Sequence, residues 1–333
     1  MNKVYKIFVF MILLGPLSLF AQSIIGLEGL TMTISPDAPS PGGTVNFRIE
    51  NYAIDLPGSD VVWYVGGIQK ARGIGLTKFS TKVGALGSSN RITVIINTPE
   101  GGQLTKEVVL RPAFVDLLWQ ADSHTPRLYL GKALPTTKNA VTFYANPYLY
   151  QGGGRIDPSR LRYNWSLDFD DMPGESGIGR NTFKTKIVDL VGQTELKLRV
   201  STLDGAVAAE NRISLPPIDP LVLVYRVNDL SGTETHPLPA NINMLGDEVR
   251  LRAEGYFFPE SHLSKPGLSY KWTMNGKSAI TDSTSPEILT IRRGDNVSGT
   301  AKIAVSVSDP FDTFITATRS YLISVGESGS TFQ

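Results

Sequence analysis

The chain has 333 residues, with 32 basic and 31 acidic groups, a formal net charge of +1 and no cysteine. The missing thiols exclude disulfides, Cys-ligated zinc and thiol chemistry, so any domain must be held by apolar packing and be large enough to supply it. Near-neutrality without a basic cluster leaves no electrostatic footprint for nucleic acid. Hydrophobic residues make up 41% and charged residues 19%, which is enough apolar material for packed cores in two or three ordinary domains. The 32 glycines and 21 prolines are spread out, as turn formers are in a folded chain.

At the N-terminus Lys3 and Lys6 precede an uncharged run, Ile7 to Phe20, that ends on the small residue Ala21. This tripartite plan predicts a secretory signal peptide over residues 1–21, cut after Ala21, and hence an exported protein of the periplasm, cell surface or exterior. Removal takes two basic groups and no acid, leaving 30 basic against 31 acidic groups, or −1. The alternative is an uncleaved anchor, in which Ile24 to Leu27 extends the apolar stretch. Gly15, Pro16, Gln22 and Ser23 interrupt that stretch, and the run falls short of the roughly 20 residues a bilayer requires. Membrane contact is thus expected only through the signal segment, if it stays uncleaved. The C-terminal residues Gly326 to Gln333 are polar and carry no second span.

Further along, one pattern appears three times. Val45-Asn-Phe47-Arg-Ile49-Glu-Asn-Tyr52 recurs as Val141 to Tyr148 and again as Val249 to Tyr256, each time alternating apolar residues with others and closing on tyrosine. A period of two marks a strand with one face buried and one wet. A tryptophan strand follows each copy, around Trp63, Trp165 and Trp272, at spacings of 102 (63 to 165) and 107 residues (165 to 272). Third strands alternate as Ile92/Val94/Ile96, Leu196/Leu198/Val200 and Ile303/Val305/Val307, and each copy closes near Leu110, Leu215 or Ile323. Strands separated by turn residues, with no helical period of useful length, predict an all-β protein of tandem β-sandwiches. Arg111-Pro112 and Leu215-Pro216-Pro217-Ile218-Asp219-Pro220 separate the copies, because proline cannot donate to a ladder. The expected boundaries are therefore 22–112, 113–217 and 218–326, with a polar tail at 327–333. Linkers this short predict semi-rigid beads rather than swinging domains.

These elements resemble bacterial immunoglobulin-like and PKD-type (polycystic kidney disease repeat) extracellular modules. The segment Ile34 to Val45 is similar to their entry strand and Pro/Gly elbow, and Trp63, Trp165 and Trp272 sit where such domains place a core tryptophan. The chain departs from antibody-type domains in lacking the cysteine pair, and from PKD modules in having only Phe169-Asp170-Asp171 as an echo of their acidic signature. The resemblance implies spacer, stalk or adhesive roles at the cell envelope, without catalysis or cofactor, and with a protein or glycan as partner.

Candidate sites are few. Asp168-Phe169-Asp170-Asp171 is the densest carboxylate cluster, but it lacks calcium-loop spacing and runs into Met172-Pro173-Gly174, which predicts a hairpin tip with calcium as the alternative. Adjacent acids on one loop cannot flank a glycosidic bond. His124, His236 and His262 stand singly, with no His-Glu-x-x-His and no Gly-x-Ser-x-Gly anywhere in the chain. Gly152-Gly153-Gly154 precedes no helix and so makes no phosphate cradle. The loops before the second and third tryptophan strands are longer than in the first copy: Trp63 lies 18 residues after Val45, Trp165 24 after Val141 and Trp272 23 after Val249. The additions carry Tyr148, Tyr150 and Arg155, and Phe257, Phe258 and His262. Two readings stand: ligand-contact loops, with Tyr148, Tyr150, Phe257 and Phe258 as stacking platforms of a carbohydrate-binding array, or aromatics that cover a core end or a domain junction. The repeated tyrosines Tyr52, Tyr148 and Tyr256 are expected to be structural.

Overall fold

A computed structural model describes residues 29–127, 129–186, 194–244, 246–259, 267–294, 298–312 and 314–325. The expected signal segment, the polar tail and His262 lie outside the described residues. The strands in chain order begin with β1 (Thr31–Ser35), β2 (Thr44–Glu50), β3 (Asp60–Val65), β4 (Ile68–Ile74), β5 (Lys78–Lys82), β6 (Asn90–Asn97) and β7 (Gln103–Leu110). Next come β8 (Phe114–Ala121), β9 (Ala140–Tyr148), β10 (Tyr150–Gln151), β11 (Gly154–Arg155), β12 (Arg162–Leu167), β13 (Asp170–Asp171), β14 (Gly177–Ile178), β15 (Thr182–Lys186), β16 (Thr194–Ser201) and β17 (Ala208–Leu215). The last are β18 (Leu221–Asn228), β19 (Gly232–Thr233), β20 (Asn241–Met244), β21 (Glu248–Tyr256), β22 (Ser269–Met274), β23 (Lys277–Ser278), β24 (Ile288–Arg292), β25 (Gly299–Ser308) and β26 (Thr316–Val325). A short 3-10 turn at Pro158–Arg160 is the one helical piece among the described residues.

The fold is all-β, as the alternation requires. Sheet β1-β2-β5 accompanies β4-β3-β6-β7; sheet β15-β9-β8 accompanies β13-β12-β16-β17, with β14 also on β12; and β19-β18-β21-β24 accompanies β20-β26-β25-β22-β23. Strands β10 and β11 form a separate small hairpin. Two compact units result. One contains Asn46–Phe79, Arg91–Val108 and the described part of Met1–Ile34; the other contains Ser35–Val45, Ser80–Asn90 and the described residues of Val109–Gln333.

In the first unit Phe47, Trp63 and Phe79 pack ring on ring, with centroids 5.9 Å apart for Phe47–Trp63 and 5.2 Å for Trp63–Phe79. The second unit holds two separate apolar clusters, one around Trp165, Phe143, Phe183, Leu196 and Leu198, the other around Trp272, Leu251, Leu289, Ile303 and Val305. Each cluster draws on both sheets of its pair, which is the sandwich arrangement. Each buried tryptophan removes roughly 150–250 Å² from water, worth about 4–6 kcal/mol at ~25 cal/mol per Å².

Burying an indole also buries its N–H, and all three copies solve this in one way. The Nε1–H of Trp63 donates to the Leu76 carbonyl at 3.0 Å, that of Trp165 to Arg180 at 2.9 Å and that of Trp272 to Pro286 at 3.2 Å. Three residues beyond each acceptor stands a residue of the same core: Phe79 and Phe183, stacked on their tryptophans, and Leu289, buried with Trp272.

A two-residue turn follows each tryptophan strand, joining Val65 to Ile68, Leu167 to Asp170 and Met274 to Lys277. Both central residues carry positive φ: Gly66 and Gly67 at 58° and 81°, Asp168 and Phe169 at 49° and 73°, Asn275 and Gly276 at 48° and 79°. Such turns favour Asn-Gly or Gly-Gly because the left-handed region crowds a Cβ. The acidic cluster is therefore a hairpin tip, as expected. The Asp168 carboxylate accepts the Glu195 N–H at 2.8 Å, just as Asn275 accepts the Lys302 N–H at 2.8 Å, and Asp171 accepts from the Ser166 hydroxyl at 2.9 Å.

One expectation is corrected. Tyr52 is 95% exposed, although Tyr256 is buried and Tyr148 half-buried. The cause is strand length. β9 and β21 run on to their tyrosines, which pair with Phe114 and Leu221, whereas β2 ends at Glu50 and leaves Tyr52 in a bend.

The linkers are tied back. Ala113 N–H donates to the Pro39 carbonyl at 3.1 Å and Ile218 N–H to the Pro135 carbonyl at 3.0 Å. Each donor lies three residues beyond a closing strand, β7 or β17, and each acceptor six residues before Val45 or Val141.

Phe169→Gly tests the turn. Phe169 is 93% exposed, so its loss removes no core, while glycine relieves a left-handed cost of about 1–2 kcal/mol against a glycine entropy cost near 1. Urea denaturation should show the variant equal to or up to about 1 kcal/mol more stable than wild type; a loss of 1 kcal/mol or more would contradict the turn assignment.

Candidate functional site

The longer loop before Trp165 is built on β9. Leu149 is fully buried and anchors it, β10 and β11 pair Tyr150 with Arg155, and Gly152 and Gly153 turn the tip at φ 62° and 85°. Asp157 then caps the 3-10 turn by accepting the Ser159 N–H at 2.8 Å, and Leu161 returns the chain to the core. Arg155 is exposed but does not extend freely from the loop. Its Nε donates to the Pro147 carbonyl at 3.1 Å, its Nη2 donates to Pro147 at 2.6 Å and to Asn146 Oδ1 at 2.9 Å, and its guanidinium lies 4.3 Å over the Tyr148 ring. Tyr148 in turn stacks on Phe114 at 4.4 Å, 14° from parallel, and its hydroxyl accepts from Asn146 at 2.8 Å. Arg155, Tyr148 and Phe114 thus form a three-layer stack. Tyr150 is half-buried, its ring 3.4 Å from where a Cβ on Gly87 would stand.

The loop before Trp272 is different, and here the stacking-platform expectation is overturned. Phe257 is 3% exposed and Phe258 is fully buried. Phe258 belongs to the Trp272 cluster, while Phe257 joins Tyr225 and Tyr256 in a smaller cluster flanked by Tyr129, Leu134, Ile218, Leu221 and Leu223. Tyr129 and Leu134 come from the chain between β8 and β9, so this cluster closes a seam between the second pair of sheets and the third. The Tyr129 ring meets Tyr256 and Phe257 edge-on, each at 5.6 Å.

Backbone groups complete the seam. His124 N–H donates to the Phe258 carbonyl at 2.8 Å, Phe257 N–H to the His124 carbonyl at 2.7 Å, and Ser123 bridges Pro259. The Phe257 carbonyl also accepts from the Thr136 hydroxyl at 2.8 Å and the Asn139 amide at 3.2 Å, both fully buried residues. Tyr225 and Tyr256 share a hydroxyl–hydroxyl hydrogen bond, and Lys138 is ion-paired with Asp312. Burial lowers the His124 pKa and raises that of Tyr256, the bond to Tyr225 adding to the latter. Both shifts disfavour charge in the seam at neutral pH.

The remaining sequence candidates are not brought together. His236 lies in an exposed turn beside the Thr235 hydroxyl, far along the chain from His124. No group of three or more His, Asp or Glu side chains is placed to hold a metal among the described residues. Sequence reading missed the seam's polar half, Thr136 and Asn139, which resembles any short loop. The paired prolines around Ile218 and the doublet Phe257-Phe258 were its only signals.

No family model and no curated protein sequence matches the chain. Among solved structures, the three N-terminal domains of the bacteriophage RB49 outer capsid protein Hoc match at 10% identity, over 90% of this chain and 98% of that one, with a TM-score of 0.27. The central fibronectin-III array of RIM-binding protein matches at 10% identity, over 89% and 97%, with a TM-score of 0.30. The Bacteroides ovatus glucan-utilization protein SGBP-B, solved with a mixed-linkage heptasaccharide, matches at 11% identity, over 89% and 70%, with a TM-score of 0.21. Overlaps at this level bear on neither ligand nor role.

Phe257→Ala should cost the C-terminal sandwiches about 3 kcal/mol of unfolding free energy, since a buried aromatic is lost and a cavity opens. Hydrogen exchange should also accelerate at the His124 and Phe257 amides; unchanged protection at both would mean that the seam does not hold the two pairs together.

Proposed function

We propose that this chain is a non-catalytic, exported protein of the cell envelope or surface. Its modules, spanning 22–112, 113–217 and 218–326, act as a spacer or as a scaffold that presents surface to a protein or glycan partner. The observation that supports this reading is the backbone exchange between His124 and Phe257/Phe258, backed by Thr136 and Asn139. A hinge that had to bend would exchange these bonds for bonds to water at a net cost of about 0.5–1.5 kcal/mol each, so of the two sequence readings the Phe257–Phe258 loop follows the one that fixes one module on the next. The perturbed tyrosine of the seam owes its shift first to burial within packing, which suits cohesion between modules. Glycan stacking on Phe257 and Phe258 is not part of the reading, because neither ring is accessible.

Two measurements test it. N-terminal sequencing of protein recovered from the envelope or medium should begin at Gln22; recovery of the uncut chain from the cytosol would reject export. The absence of cysteine makes site-directed spin labelling direct. Nitroxides on Lys184→Cys and Thr290→Cys should give one narrow distance distribution that broadens when Phe257→Ala is added. A broad distribution in the parent protein would reject the scaffold.

A further inference from the structure

The outer face of the sheet β13-β12-β16-β17 carries a half-open cleft of about 520 Å³, remote in sequence from the seam loops. Its floor is a set of outward side chains in register: Asn164 beside Arg199 and then Glu210, with Ser166 beside Lys197 in the next row and Arg162 at the end of β12. Its wall is the segment between β13 and β14. That segment pairs at both ends with β12, through Asp171 and Gly177, and lifts away between them. Ser176 pins the lifted part: its hydroxyl accepts the Trp165 N–H at 2.9 Å and donates to the Met172 carbonyl at 2.7 Å.

The charges of the cleft are unequally committed. The Arg199 guanidinium takes Asp37 in two bonds, 3.1 and 2.9 Å, and Glu210 at 2.5 Å, holding the Asp37 carboxyl below its ordinary pKa. Lys197 reaches the same Glu210 only at 3.6 Å. The Arg162 and Asn164 side chains have no hydrogen-bond or ion-pair partner among the described residues, and both are exposed in the cleft. An uncommitted guanidinium presents a planar fork that matches a carboxylate, and a loosely held ammonium lies on the same floor. Asn164, Ser166 and Asp171 add donors and acceptors of the kind that hydroxyl groups satisfy.

We propose that this cleft binds an acidic sugar, a uronate unit of a glycan, with its carboxylate on Arg162 and its hydroxyls on Asn164 and Asp171. An acidic peptide fits less well. The edge of β12 is already occupied by β13 and β14, so no strand can be added, and the Trp165 ring that would anchor an apolar side chain is turned into the core at 1% exposure. The site narrows the partner named in the scaffold reading to an acidic glycan, while a spacer role needs no ligand and would survive its failure.

Calorimetric titration of the purified full chain with trigalacturonate tests it, with cellotriose, sodium sulfate and a glutamate-rich peptide as comparators. Saturable binding of trigalacturonate is expected, weakened at least about tenfold by Arg162→Gln and unaltered by the distant Arg292→Gln. Cellotriose should bind at least about tenfold more weakly. Equal binding of cellotriose, sulfate or the peptide, an unchanged affinity in Arg162→Gln, or no heat with trigalacturonate would each overturn the site. None of these results would alter the export and distance measurements, which judge the scaffold separately.

Discussion

The fold depends on a small conflict repeated three times: an indole too large to leave wet and an N–H too costly to leave unpaired. Each tryptophan is placed in the middle of its core, and a carbonyl 13, 15 or 14 residues later in the chain (76, 180 and 286 against 63, 165 and 272) meets its nitrogen. That single bond ties the loop crossing to the second sheet back to the tryptophan strand of the first. It fixes where the next strand starts, and so which of its residues, Phe79, Phe183 or Leu289, returns to the core. Without disulfides, this is how each sandwich sets the register between its layers.

From that centre outward the copies diverge, and divergence follows strand length. Where the strand before the loop is long, its terminal tyrosine is held in a pair and the loop beyond it becomes a mating surface, as at Tyr256 and Phe257. Where it is short, the same tyrosine is left in water, as at Tyr52. One sequence motif thus serves three structural ends, and the local chemistry of the motif decides none of them.

Much of the architecture was legible because apolar alternation and the three tryptophans report directly on burial, which is what builds sheets. The two-residue turns were half legible: Gly66-Gly67 and Asn275-Gly276 announce themselves, while Asp168-Phe169 hides the same geometry behind a bulky residue and reads as an acidic cluster. The seam was the least legible. Its strongest bonds are made by the main chain of His124, Phe257 and Phe258, and backbone donors carry no side-chain signature. Exposed aromatics on a loop and aromatics buried between modules also look alike in sequence, since both demand large rings beside turn residues. Only the partner surface, Tyr129 and Leu134 with Thr136 and Asn139, separates the two cases, and it lies more than a hundred residues upstream.

The tied-back linkers carry a mechanical consequence. At Thr136 and Ile218 the chain leaving one sandwich runs parallel to that sandwich's own entry elbow. Tension pulled through the chain would reach this isolated bridge as shear along the two segments rather than as peeling. The entry elbow at Pro135 and Thr136 therefore meets such a load ahead of the strands that enclose Trp165.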